Sequence, residues 1–295
     1  MKIRFWGVRG SIPSPGAKTV RYGGNTSCIE LRSDAGDLVI LDAGTGIFPL
    51  SQTLLSEMPI TAHIFITHTH WDHIQGLPFF IPTFVPGNRI RIHGAFDPIS
   101  QNDLRNVLTR QMEYCYFPVR EAELKATMEY HTLRERQTVH CGDATVTNLF
   151  MNHPVLNFGY KIECGGKSVF FTGDHEPLFN IYDPEDDDYD EYASFMDQKN
   201  QSIIDFITGC DLLIADTSYT RDEYPAKRGW GHGTYDTSIA MARAAGVKQL
   251  VFTHHEPTRS DEHLERIYQE TMARYPHQPG DPVCLLAQEG LEIQL

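Results

Sequence analysis

Short runs of alternating or β-branched apolar residues dominate the chain, and this pattern predicts many strands. The predicted strands are 2–6, 27–32, 38–42, 62–67, 89–93, 144–150, 159–163, 168–172, 211–215 and 249–253. Helical spacing of apolar residues occurs near 47–57, 100–112, 120–126, 201–208, 235–245 and 260–274. Strands that come first and then mix with helices favour an α/β protein, in which two β-sheets pack face to face with helices outside them.

The length of 295 residues exceeds that of a usual domain, but large α/β domains reach it without dividing. We therefore predict a single domain over 1–295. Within it, the region 95–140 is predicted to be a helical insertion over the site. The region 177–200 is predicted to be an acidic loop, because the acidic residues at 183–191 are typical of a solvated surface segment.

Composition narrows the range of partners. The net charge of −14 disfavours nucleic acid, since attraction to a polyanion needs clustered lysine and arginine, so a small substrate is expected. No apolar run approaches the roughly 18–20 residues that span a bilayer, which predicts no membrane association. The six cysteines are scattered without a CxxC pair, as in proteins of a reducing compartment, and we expect a cytoplasmic protein.

The densest group of candidate metal ligands is HTHWDH at 68–73, directly after the predicted strand 62–67. His68 and His70 are two residues apart, so their imidazoles point to the same side of an extended segment. Asp72 and His73 add a carboxylate and a third imidazole, which are donor types that zinc binds. Four donors on so short a loop can hardly all reach one ion, and the sequence therefore predicts two metals.

Three further candidate ligands each follow a predicted strand. They are His153 after 144–150, Asp174 in FFTGD after 168–172, and His254 after 249–253. Alone, each would be an ordinary turn residue or a hydrogen-bonded histidine. Because rigid strand ends hold ligands well, four strand ends that each offer a donor together indicate a metal centre.

HTHWDH matches the H-x-H-x-D-H signature of the metallo-β-lactamase fold, and the later candidate ligands fall in that fold's order. The chain resembles this family from FWGVRGSIPS through GNTSC, ILDAGTG and FFTGD to the C-terminal TH. It looks closest to the phosphodiesterase branch, which includes ribonuclease Z-like and cyclic-phosphate phosphodiesterases. The resemblance implies an αββα sandwich of two mixed β-sheets flanked by helices.

The resemblance also implies which residues hold two divalent ions. One ion would be held by His68, His70 and His153. The other would be held by Asp72, His73 and His254. Asp174 would bridge both ions, and His254 is favoured over His255 because it keeps the family spacing; His255 would line the pocket or face the core. Zinc suits these donors, and manganese and iron accept the same set.

His232 lies between glycines in GWGHGTYDTSIAMA, just before a predicted helix whose N-terminus suits an anion. It resembles the G-H-[ST]-T segment of ribonuclease Z-like enzymes, with Gly233 in place of the hydroxyl residue. Asp42 in ILDAGTG resembles their D-x-G element and would orient a ligating histidine. Asn25 and Ser27 in GGNTSC are weaker candidates for polar contacts near the site.

The predicted function is hydrolysis of a small cyclic or nucleotide-like phosphodiester by a hydroxide that bridges two ions. Asp72 and Asp174 would accept the proton of the water, and His232 would assist the leaving group. Hydrolysis of a thioester, lactone or lactam, tRNA processing by a ribonuclease Z-like nuclease, and a metal-binding or redox protein without hydrolase activity stay open as alternatives.

Two observations bear on the partner of this site. The family's tRNA-binding arm lies between the His and Asp metal motifs, and here the segment from His153 to Asp174 leaves room only for a hairpin. The aromatic residues Tyr114, Tyr116 and Phe117 in the insertion would cover the pocket, form a homodimer contact or belong to the core.

Overall fold

Two seven-stranded β-sheets pack face to face in the computed structural model, which describes residues 1–295. The first sheet consists of β1 (Lys2–Gly7), β2 (Cys28–Arg32), β3 (Leu38–Leu41), β4 (Thr61–Phe65), β5 (Arg89–Gly94), β6 (Thr127–Thr132) and β14 (Glu292–Gln294), in the spatial order β14-β1-β2-β3-β4-β5-β6. The second consists of β7 (Thr138–Cys141), β8 (Ala144–Met151), β9 (Asn157–Cys164), β10 (Lys167–Phe171), β11 (Leu212–Asp216), β12 (Gln249–Thr253) and β13 (Val283–Leu286), in the order β13-β12-β11-β10-β9-β8-β7. Both sheets are mixed, because β3 to β6 and β10 to β13 run parallel while the remaining pairs are antiparallel.

Six α-helices connect the strands. They are α1 (Ile47–Thr53), α2 (Trp71–Ile74), α3 (Leu104–Arg110), α4 (Tyr189–Ile207), α5 (Tyr235–Ala244) and α6 (Asp261–Arg274), together with short 3₁₀ turns at Leu54–Ser56, Leu77–Phe79, Ile81–Phe84, Glu121–Glu123 and Tyr224–Ala226. None of these helices combines the length and the apolar character that a membrane-spanning segment needs.

Apolar side chains form three layers. The largest layer lies between the sheets and includes Phe5, Phe65 and Phe171. A second layer joins the first sheet to α1 and α3, and a third joins the second sheet to α4, α5 and α6. Strand β11 is buried on both faces, with Leu212 in the central layer and Leu213 in the outer one, which explains its uninterrupted apolar run.

The predicted pair of mixed sheets with outer helices is confirmed, and all ten predicted strands are present with ends within two residues. Four strands were not predicted: β6, β7, β13 and β14. The helix predicted at 120–126 is wrong, because only the turn Glu121–Glu123 forms before the chain enters β6.

The prediction that 95–140 is a helical insertion is correct only for α3. Strands β6 and β7 fall in the same region and form an edge strand of each sheet. In β6, Met128 and Tyr130 pack on the apolar layer between the first sheet and helices α1 and α3. This burial and the pairing with β5 stabilise the segment as a strand.

The acidic loop predicted at 177–200 is wrong from Tyr189 onward, where α4 begins. Asp190 and Glu191 lie in the first turn of this helix, where carboxylates interact favourably with the helix dipole. Ile203 and Ile207 of the same helix pack in the apolar layer on the second sheet. Helix α4 begins twelve residues before the predicted helix at 201–208.

The carboxyl ends of the parallel strands in both sheets meet at one edge of the sandwich. The backbone N–H of Phe158, at the start of β9, donates to the carbonyl of Thr67 just after β4, at 2.9 Å. The hydroxyl of Tyr160 donates to the carbonyl of Ile66 at 2.7 Å. These contacts bring the loops that carry the candidate ligands from the two sheets together.

Replacement of Leu213 by alanine should lower the free energy of unfolding by about 2–5 kcal/mol, because it leaves a cavity in a fully buried layer. Urea denaturation measures this change. The matched control is Leu55→Ala, whose side chain is 53% exposed and whose loss should change stability by no more than about 0.5 kcal/mol. Equal losses in the two variants would contradict the assigned packing.

Candidate metal centre

The sequence HTHWDH runs from the end of β4 into the first turn of α2, with His70 as the residue before the helix. This change from extended to helical backbone places His68 and His70 toward one group of donors and Asp72 and His73 toward another. The first group contains one ligand atom each from His68, His70, His153 and Asp174, all within 4.8 Å of one another. His70 Nδ1 lies 3.1 Å from His153 Nε2.

The second group consists of Asp72, His73, Asp174 and His254, again with ligand atoms within 4.8 Å of one another. His254 Nε2 lies 3.2 Å from Asp72 Oδ2 and 3.1 Å from Asp174 Oδ1. His73 Nε2 lies 3.3 Å and 3.2 Å from the same two atoms. All four residues are buried, and the structure therefore unites all seven residues predicted as ligands around Asp174.

Asp174 belongs to both groups, and each of its carboxylate oxygens faces a different one. Oδ2 lies 3.5 Å from His68 Nε2 and 3.8 Å from His153 Nε2, whereas Oδ1 faces His73 and His254. The preceding Gly173 has φ +58°, and a Cβ there would lie 2.8 Å from the side chain of Thr67. Glycine thus allows the tight turn that delivers Asp174 from β10 into the centre.

Three buried atoms in these groups have no hydrogen-bond partner: His68 Nε2, His73 Nε2 and Asp174 Oδ1. Buried polar atoms are nearly always paired, so unpaired donors and acceptors that face each other indicate space for a cation between them. Imidazole nitrogen and carboxylate oxygen are the donors that zinc and related divalent metals bind. The donor set therefore fits divalent metal ions.

The electrostatics differ between the donors of the two groups. Burial raises the pKa of Asp174, but the facing imidazoles of His254 and His73 outweigh burial and hold this pKa well below its usual range. Burial lowers the pKa of His68 well below its ordinary value, and His73 lowers it further. Asp174 is thus a carboxylate and His68 a neutral imidazole at neutral pH, and both are already in the form that binds a metal. Burial lowers the pKa of His73 and of His254, but the facing carboxylates, Asp174 foremost, outweigh burial and raise it, so a metal ion would have to displace a proton from these imidazoles.

Three of the candidate ligand histidines are held through their Nδ1 atoms, which leaves Nε2 facing Asp174. His73 Nδ1 donates to Asp42 Oδ2 at 2.7 Å. His153 Nδ1 donates to the carbonyl of Gly231 at 2.9 Å, and His254 Nδ1 donates to Ser218 Oγ at 2.8 Å. Such hydrogen bonds fix both the tautomer and the ring orientation of a metal ligand.

Asp42 lies where the sequence predicts it, beside a candidate ligand histidine. Besides His73, it accepts hydrogen bonds from Ser27 Oγ at 3.0 Å and from the N–H and hydroxyl of Thr67 at 2.8 and 2.9 Å. The residue is fully buried and adopts φ +61°, a left-handed backbone conformation that is costly outside glycine. Ser27 reaches the centre only through this carboxylate.

Two residues predicted near the centre are turned away from it. His255 is fully buried, and its Nε2 pairs with the carbonyl of Ala287 at 2.8 Å, so it faces the core rather than the pocket. The side-chain amide of Asn25 donates to Glu289 Oε2 at 3.1 Å. Of the two alternatives predicted for His255, the structure shows the one that faces the core, and the side chain of Asn25 pairs with Glu289 rather than with the ligand groups.

His232 lies beside both groups and is held by Asp216, a residue that the sequence analysis missed. Its Nδ1 donates to Asp216 Oδ2 at 2.8 Å and lies 3.8 Å from Asp174 Oδ2, and its ring stacks on that of His254 with centroids 5.0 Å apart. Burial lowers the pKa of His232, but the carboxylate of Asp216 outweighs burial and raises it to about 9. Asp216 ends β11, and this strand-end position is the signal that could have identified it.

Hydrogen bonds to Thr234 and to Glu176 hold the glycine-rich segment around His232 in place. Thr234 caps the N-terminus of α5, and its hydroxyl accepts a hydrogen bond from the N–H of Thr237. Glu176, two residues after Asp174, accepts hydrogen bonds from the N–H groups of Gly229 and Gly231 at 2.9 and 2.8 Å. The acidic residue after FFTGD thus positions the His232 segment.

Comparison with known proteins identifies a family that this chain matches. The model of the beta-lactamase superfamily domain matches residues 38–255. Ribonuclease Z of Methanothermobacter thermautotrophicus is 25% identical over 281 residues, which cover 86% of this chain and 86% of that relative. The match to the family model includes every residue of the two ligand groups.

Two solved structures have a similar fold. The metallo-beta-lactamase fold protein YhfI from Bacillus subtilis has a TM-score of 0.68 at 19% identity, with 99% of this chain and 98% of that chain covered. A diphosphatase from the PhnP family has a TM-score of 0.63 at 19% identity, with 100% and 97% covered. At these identities the likeness establishes the fold.

Replacement of Asp42 by asparagine should weaken zinc binding about 10- to 100-fold, the usual effect of removing the partner of a ligating histidine. Competition with a chromophoric chelator measures this affinity. Asp187→Asn, at an exposed loop position, is the matched control and should bind zinc like the unmodified protein. Unchanged affinity in a folded Asp42→Asn variant would contradict the positioning of His73 by Asp42.

Proposed function

The chain belongs to the beta-lactamase superfamily and is a metallo-β-lactamase-fold hydrolase, and from this we propose that it is a binuclear phosphodiesterase for a small cyclic or nucleotide-like phosphodiester. The observation that carries the proposal is the pair of ligand groups that share Asp174, with His232 held next to them by Asp216.

Under this proposal, each group holds one divalent ion, and zinc fits the histidine-rich donors best, with manganese and iron accepted by the same set. His68, His70 and His153 would hold one ion, and Asp72, His73 and His254 the other, with Asp174 between them. When bound, two such ions supply Lewis-acid polarisation of phosphoryl oxygens and lower the pKa of a water molecule toward neutrality.

The residues of the chain supply proton transfer and orientation. Asp72 and Asp174 are buried carboxylates that can accept the proton of an attacking water. Asp72 is itself oriented by the N–H of Ser11, which donates to its Oδ2 at 2.7 Å. Asp216 holds Nδ1 of His232, whose ring stacks on that of His254, and this leaves Nε2 without a protein partner and able to protonate a leaving alkoxide.

The length of the segment between His153 and Asp174 supports a small substrate. It consists of β9, a turn at Gly165 and Gly166, and β10, paired in register from Lys167 with Cys164 to Phe171 with Tyr160. A hairpin of this length leaves no projecting arm at the place where the family's tRNA-binding arm lies. The net charge of −14 also disfavours a long polyanion.

A tRNA-processing nuclease is the second candidate function, and one observation favours it. The relative named Ribonuclease Z matches 86% of this chain at 25% identity. The two candidates share the same ligand groups and differ in how the substrate beyond the phosphate is bound, so an assay with both substrate types separates them.

Replacement of Asp174 by alanine should abolish both metal binding and turnover, because both groups lose their common oxygen donor. Metal content after loading with zinc, measured by atomic emission, should fall from two ions per chain to fewer than one. Asp187→Ala, at an exposed loop position, serves as the control and should keep two. A folded Asp174→Ala variant that retains two metals per chain would refute the bridging role.

The zinc-loaded protein should hydrolyse bis-p-nitrophenyl phosphate and a cyclic nucleotide, with little cleavage of pre-tRNA or a lactam. In His232→Ala, kcat for the cyclic nucleotide should fall about 10²- to 10⁴-fold, because its ribose alkoxide needs a proton to leave. The loss should be much smaller for p-nitrophenolate, which leaves without protonation.

Equal losses on both substrates, at unchanged metal content, would assign His232 a role other than general acid. Full metal content without any phosphodiester turnover would refute the proposed function, and efficient cleavage of pre-tRNA alone would favour the nuclease.

A further inference from the structure

A groove opens directly beside the loop that carries the candidate ligands. Thr69, which lies between His68 and His70, lines it together with Trp71, which precedes Asp72. The groove encloses a volume of about 390 Å³, which lies in the range of small-molecule sites. A ligand in the groove would therefore contact the same loop that carries His68, His70 and Asp72.

Aromatic side chains form the walls of this groove although water reaches them. Trp71 is 76% exposed, Tyr116 71% and Phe79 53%. Phe117 packs edge-on against Phe79 with ring centroids 5.2 Å apart, which fixes the angle between these two walls. Exposed apolar residues gathered in one concave patch mark a binding surface, and flat rings suit a flat ligand.

The groove also contains polar groups. Gln111 lines it, and its side-chain Nε2 is buried without a hydrogen-bond partner. An amide N–H in this state favours a ligand that brings an acceptor, because a buried unpaired donor is costly. Arg110 supplies a positive charge to the same wall, so the groove suits an aromatic, hydrogen-bonding and anionic ligand better than a purely apolar one.

We propose that this groove binds the base of a nucleotide whose phosphodiester lies at the metal centre, an inference that rests on the proposed function. The base stacks against Trp71 and Phe79, as bases stack on aromatic platforms in other proteins. The amide of Gln111 donates a hydrogen bond to a ring nitrogen or carbonyl of the base. The groove thereby makes the enzyme selective for phosphodiesters that carry a base.

Binding of AMP and of ribose 5-phosphate to the zinc-loaded protein tests this inference, because the two ligands share the sugar and the phosphate, and ribose 5-phosphate has a hydroxyl in place of the base. Dissociation constants from isothermal titration calorimetry should show AMP bound at least about tenfold more tightly, within the range for stacking on an aromatic side chain. In Phe79→Ala and Gln111→Leu this preference should fall severalfold, with binding of ribose 5-phosphate unchanged.

The matched control is Phe195→Ala, which removes an aromatic ring that is 48% exposed on α4 and lines a different cavity. It should keep the preference for AMP. Metal content is measured for every variant, because Phe79 and Gln111 are not among the candidate ligands and should leave it unchanged.

Equal affinities for AMP and ribose 5-phosphate would overturn the inference, as would a preference for AMP that survives in both groove variants. Turnover of bis-p-nitrophenyl phosphate, which carries no base, decides the proposed function separately. If the unmodified protein hydrolyses this substrate but shows no preference for AMP, only the inference about the groove is refuted.

Discussion

A buried carboxylate with an unpaired oxygen is stable only if positive charge faces it, and Asp174 is such a group. Its two oxygens face different sets of imidazoles, and the strands of both sheets end around it. The remaining features of the site follow from this constraint. His73, His153 and His254 present Nε2 inward, so their Nδ1 atoms need partners, and Asp42, Gly231 and Ser218 provide them.

The fold supports this arrangement because parallel strands in both sheets deliver their carboxyl ends to one edge. At two of these ends the backbone takes a costly conformation, with φ +61° at Asp42 and +59° at His254. The rigid packing of the apolar layer between the two sheets can stabilise these costly backbone conformations. The loop beyond β10 uses glycine for the same purpose, and Glu176 then ties it to the segment of His232.

Features that are set by residues close together in the sequence could be predicted, and features that depend on contacts between distant residues could not. HTHWDH places four donors within six residues, and the apolar runs mark ten strands, so the fold and the grouping of the candidate ligands were predictable from sequence. Asp216 was not, because an aspartate after a strand is also a common turn signal and its partner His232 lies sixteen residues away. Strand β6 was not predicted because its run of alternating apolar and polar residues is short. The residues that bury Met128 and Tyr130 lie far away in the sequence. The groove beside Trp71 arises only when the region after β5 folds over α2.

The central claim is that two ions share Asp174. Anomalous diffraction at the zinc absorption edge, from crystals grown with zinc, tests it most directly. The account predicts two peaks about 3.5–4 Å apart, the usual spacing of such pairs, one beside His153 and the other beside His254, with Asp174 between them. A single peak, or a second peak outside these two groups, would contradict it.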